Sequence, residues 1–78
     1  MSWELFHQIS DPESARVRRF VTAAGLVDQV RFRNIEASES AARDLAQIDA
    51  KVPTLRVGHD IIEGADAIVA FLSAQAKP

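Results

Sequence analysis

The chain contains no cysteine, and that absence removes more functions than any residue present supplies. Without a thiol it cannot run thiol–disulfide exchange, offer a cysteine nucleophile, or bind zinc or an iron–sulfur cluster through sulfur. Nor can it carry the disulfides that secreted domains of this size commonly rely on. Glycine and proline occur only three times each and charged residues make up 26%, which is not the composition of a disordered or low-complexity segment. No apolar run approaches the ~18 residues of a membrane span. The opening Met1-Ser2-Trp3-Glu4 lacks the basic start and apolar stretch of a signal peptide, so the expected location is the cytoplasm, away from membranes. An excess of positive charge is missing too. The net charge of −2 offers no basic surface of the kind nucleic acid requires, so nucleic acid is not an expected partner. The two histidines, His7 and His59, stand in no spaced pattern with carboxylates, and no metal site is expected.

The chain is nonetheless equipped to fold. A hydrophobic fraction of 47% over 78 residues supports one core, and hence one domain spanning residues 1–78. Residues 3–9 are apolar on both alternating faces, as in a strand covered on two sides. Asp11-Pro12-Glu13 then reads as a helix start: Asp at the N-cap, Pro in the first helical position, Glu in the first turn. Val17, Phe20, Val21 and Ala24 share one stripe of that helix, and Gly25 stops it. Val30 to Ile35 alternates apolar and polar residues, the pattern of a less buried edge strand with Arg31 and Arg33 on its wetter face. Ser38 caps a second helix with Ala41, Leu45 and Ile48 inward. Val52 to Val57 is a third strand opening with Pro53. Gly58-His59-Asp60 signals a hairpin into Ile61-Ile62. Gly64 breaks the pattern before a last helix, in which Ala67, Ile68, Phe71 and Leu72 are expected to face the core.

The resulting order is βαβαββα. With proline opening the third strand and glycine preceding the last helix, it resembles the thioredoxin fold in its glutaredoxin and glutathione-transferase N-terminal form. The stretches that carry the resemblance are Val52-Pro53-Thr54-Leu55, Ile61 to Ile68, and Phe71-Leu72. It implies an α/β, thioredoxin-like (glutaredoxin-like) architecture: a four-stranded mixed sheet with the first and third helices on one face and the second on the other. It also implies a cis peptide bond before Pro53. In the family, the residue at the Val52 position offers its backbone to the cysteinyl part of glutathione, and the segment from Gly64 to Asp66 meets the γ-glutamyl carboxylate. Val52, Pro53, Gly64 and Asp66 are therefore the candidate glutathione- or peptide-binding residues.

The departure from the family lies at the first helix. Glutaredoxins open that helix with Cys-Pro-x-Cys, whereas here Asp11-Pro12-Glu13-Ser14 stands in the slot. Ser10, Asp11, Pro12, Glu13 and Ser14 then form a degenerate active-site loop. A helix N-terminus favours an anion through its free N–H groups and its dipole, so Asp11 is expected to fill the old thiolate position as a permanent carboxylate. Ser10 lies near the place where some transferases carry a catalytic hydroxyl, but both Ser10 and Ser14 read as turn or cap residues. His7 reads as a satisfied, partly buried histidine and His59 as a solvent-facing one, so no catalytic residue is expected. Five of the nine basic residues fall between positions 16 and 33. If Arg16, Arg18, Arg19, Arg31 and Arg33 lie together, they form a patch for an acidic partner; the alternative is a solvated amphipathic surface.

The expected function is a redox-inactive thioredoxin-like module that binds a protein or peptide, rather than an enzyme. The alternative is a glutathione-binding or transferase-like protein without the helical second domain, holding glutathione weakly. No other cofactor is implied, and the sequence leaves the oligomeric state open.

Overall fold

The computed structural model describes residues 3–76. Strand β1 (Trp3–His7) leads into helix α1 (Pro12–Ala23), and a short 3₁₀ turn (Val27–Gln29) precedes strand β2 (Val30–Asn34). Helix α2 (Glu39–Gln47), the hairpin of β3 (Thr54–Val57) and β4 (Asp60–Glu63), and helix α3 (Ala65–Gln75) complete the chain. The four strands form one mixed sheet in the order β2-β1-β3-β4. β1 and β2 are parallel, while β1 with β3 and β3 with β4 are antiparallel.

Alternation along the strands sends side chains to opposite faces. On one face Leu5, Val30 and Leu55 meet Val17 and Val21 of α1 and Ala65, Ile68 and Leu72 of α3. On the other, Phe6 packs with Ala41 and Leu45 of α2. Helices α1 and α3 therefore share a face and α2 covers the opposite one, in a small α/β domain. Leu5, Leu55, Ile68 and Leu72 are fully buried, and each contributes about 1.5–3 kcal/mol through removal of apolar surface from water.

Four expectations need correcting. The third strand is Thr54–Val57, so Val52 and Pro53 precede it rather than open it; the cis bond between them turns the chain before pairing begins. The first strand ends at His7 rather than residue 9, because the Ile9 amide leaves the sheet to bond a carboxylate and its side chain is 58% exposed. Strand β2 likewise ends at Asn34, one residue early. In α3 the buried face is Ala65, Ile68 and Leu72. Ala67 is exposed and Phe71 half-buried, the latter meeting Trp3 edge-to-face at 5.6 Å.

Candidate functional site

The register places several chain ends at one edge of the sheet. His7 at the end of β1 lies opposite Asn34 at the end of β2. Phe6 pairs with Thr54 at the start of β3, which pairs in turn with Glu63 at the end of β4. The loops leaving β1 and β4 enter α1 and α3 here, and an ion pair of 2.6 Å joins Arg16, in the second turn of α1, to Asp66 in the first turn of α3. The candidate residues at positions 10–14, 52–53, 64 and 66 are thus gathered at this edge.

At the front of α1, Asp11 is the N-cap, as its residue type dictates. Its Oδ2 accepts from the Ser14 amide and from the Ser14 hydroxyl, both at 2.8 Å. Ser14 is fully buried, and its Oγ also accepts from the Gln8 amide at 3.2 Å. Pro12 occupies the first helical position, where its missing N–H costs nothing. A second carboxylate serves the preceding loop. Glu36, just past β2, accepts at Oε1 from the Ile9 and Ser10 amides, at 2.7 and 3.3 Å, and at Oε2 from the Ser10 hydroxyl at 3.1 Å. The Ser10 amide is the main reason the Glu36 carboxyl titrates below its ordinary value; slight burial opposes it, and the Ser10 hydroxyl, Gln8 side chain and Ile9 amide add to it. The Ile9, Ser10 and Ser14 amides are therefore already taken by the chain's own acids.

The neighbouring corner is different. The Val52–Pro53 bond is cis. Gly64, at a φ of 95° that suits only glycine, donates its amide to the Pro53 carbonyl at 2.9 Å. The Lys51 amide reaches Glu63 and the Thr54 hydroxyl reaches the Lys51 carbonyl. Val52, between them, has no hydrogen-bond partner for its own N–H or C=O among the described residues. Helix α3 has no side-chain cap, so no capping side chain takes its leading amides, and Asp66 in its first turn is exposed.

The chain matches no family model and no curated protein.

The five arginines do not form one patch. Arg33 lies on the α2 face, where it bonds Glu4 at 2.8 Å and Asp44 at 3.0 Å and sits over the Phe6 ring at 5.3 Å. Arg56 comes from the other side of β1 to the same Glu4, and Arg31 approaches it at 3.9 Å. Burial raises the Glu4 pKa, but the hydrogen bonds and charges of Arg56 and Arg33 outweigh it, and the carboxyl stays below its ordinary range. Arg16 belongs to the Asp66 pair. Only Arg18 and Arg19 remain together, on the outer side of α1, where they line a groove with His7, Thr22, Ala23 and Phe32.

His7 is 4% exposed, more deeply buried than the partly buried histidine expected, and its Nδ1 is the ring nitrogen with a partner. Arg18 Nη1 lies 3.1 Å from its Nδ1 and 3.3 Å from the Gln8 carbonyl. Burial first, and the Arg18 charge second, hold the imidazole below its ordinary pKa, with Glu36 pulling the other way. His59 lies in the exposed hairpin turn. Among the described residues no group of three acids or histidines gathers to hold a metal ion, and no helix is long and apolar enough to cross a membrane.

Sequence reasoning missed Glu4 and Glu36. Their partners stand 26 to 52 residues away, and no local spacing announces such pairs.

Proposed function

We propose that the chain is a thioredoxin-like, glutaredoxin-like domain that has given up redox chemistry and binds a protein or peptide segment in extended conformation. The fold reading is supported by the strand order, by helices α1 and α3 sharing a face, and by the cis bond ahead of β3. The observation that carries the function is the contrast at the sheet edge. Asp11 takes the Ser14 amide at the slot where glutaredoxins carry a thiolate, and Glu36 takes the Ile9 and Ser10 amides, while the Val52 peptide group is unpaired among the described residues. Strand β3 is paired on both sides, so an extended chain would not add a full strand here; it would bond the free Val52 N–H and C=O just ahead of the strand, main chain to main chain.

Screening an array of extended peptides and mapping the hits by ¹⁵N amide shifts tests this reading. Shifts centred on Val52 and Gly64 are expected. Hits that map only to other surfaces, or none at all, would sink it.

Glutathione is the second reading, favoured by the uncapped amides at the front of α3, which suit a carboxylate. Against it, the Asp11 carboxylate stands where the ligand's sulfur would lie, so affinity is weak at best. Millimolar glutathione perturbing Val52, Gly64 and Asp66, where peptides do not, would favour this alternative.

A further inference from the structure

We propose that the groove between α1 and the edge strand β2 binds a small amphipathic carboxylate, an acyl or aryl acid. Its carboxylate meets Arg18 and Arg19, and its hydrocarbon lies against Phe32 and Ala23. The groove has a volume of ≈ 720 Å³ and lies largely open to solvent, so it suits a small ligand held along one side rather than enclosed. It lies on the α1 face, whereas Val52 packs with the α2 cluster, so it is independent of the peptide reading above.

The edge strand creates the apolar floor. α1 and α3 cover the centre of the sheet, and β2 projects beyond them. Phe32, at the middle of β2, is consequently 37% exposed although its alternation points it to the core side with Val30. Its ring meets His7 edge-to-face at 5.6 Å, which fixes it as a wall rather than a loose surface side chain.

The polar end is held in place before any ligand arrives. A guanidinium can only donate, so the His7 Nδ1 facing Arg18 must be the acceptor, and the imidazole proton sits on Nε2. That bond and the Gln8 carbonyl orient Arg18. His7 Nε2 makes no hydrogen bond among the described residues, yet no buried side-chain nitrogen there lacks a partner. Nε2 therefore keeps some contact with solvent, and His7 lines the groove. Arg18 and Arg19, like Arg43, form no ion pair among the described residues, whereas Arg16, Arg31, Arg33 and Arg56 each do; Glu36, whose charge reaches His7, is already engaged by the Ile9 and Ser10 amides. Two uncompensated cations and a spare N–H at one end of an apolar trough match a single carboxylate with a hydrocarbon tail. A sugar phosphate would satisfy the cations but leave its polar body against Phe32 and Ala23. A second copy docked edge to edge through β2 would bring the exposed Arg31 of each copy into one five-residue ladder, at a cost from like charge.

Titrating the ¹⁵N-labelled full chain with sodium octanoate, with 1-octanol and with a tetraglutamate peptide tests the proposal. Octanoate should give saturable shifts at His7, Thr22, Ala23 and Phe32. Arg19→Gln should weaken it about tenfold, the loss expected for one charge-assisted contact. Arg19 is exposed, so the variant's spectrum should otherwise match the wild type. Equal shifts with octanol, binding of tetraglutamate without octanoate, no saturation at millimolar octanoate, or an Arg19→Gln variant that binds like wild type would each overturn it.

Discussion

Asp11 and Ser14 act as a pair in which each depends on the other. Asp11→Ala removes the acceptor for the Ser14 amide and hydroxyl and should lower the unfolding free energy by about 1–2 kcal/mol, read from urea denaturation. Ser14→Ala should cost about 1–3 kcal/mol, because the Gln8 amide loses its acceptor and Asp11 a donor inside the fold. An unchanged midpoint in both variants would mean that the cap contributes nothing to stability. This pair was half legible. Asp before Pro announces a cap from the sequence alone, but the full burial of Ser14 follows from the chain folding back over it, which no local pattern encodes.

Elements are joined most firmly through Glu4 on β1, which holds Arg33 of β2 and Arg56 of β3, while Arg33 continues to Asp44 of α2. Glu4→Gln leaves the Arg33 guanidinium, only 10% exposed, short of one of its two carboxylates. It should destabilise the chain by about 2 kcal/mol in chemical denaturation. Arg31→Gln, at a side chain 68% exposed, should change stability by no more than about 0.5 kcal/mol, since solvent screens that pair. The reverse ranking would refute the idea that burial sets the value of these contacts. Helix starts, glycine stops and the hairpin were readable because each is written in neighbouring residues. The face of α3 was not: Ala65, Ala67, Ile68, Val69, Ala70, Phe71 and Leu72 are apolar nearly all round, so periodicity offers no choice between Ala65 and Ala67. The 3₁₀ turn at Val27–Gln29 is too short to carry a period. The arginines cluster in sequence, yet strand alternation and the α1 crossover send them to opposite faces of the sheet.

For the molecule as a whole, three groups tie stability to pH in one direction. His7 is held below 6.5 in the fold by burial and by Arg18. Glu4 and Glu36 are held below 4.5 by the hydrogen bonds described above. In each case the unfolded chain binds the proton more readily, so the stabilising contribution is present above the unfolded pKa and is lost as pH falls through the folded one. Urea midpoints should therefore decline first below pH 6.5 and again below 4.5. His7→Gln should abolish the first decline and leave the second. A profile that rises on acidification would contradict the assignment. Glu36 has a further consequence for motion. Its carboxylate clasps Ile9 and Ser10 across 27 and 26 residues of chain, so the turn ahead of α1 opens only when the turn after β2 lets go. The Ile9 and Ser10 amides, although at the surface, should exchange with deuterium slowly and in step, and Glu36→Gln should release both at once.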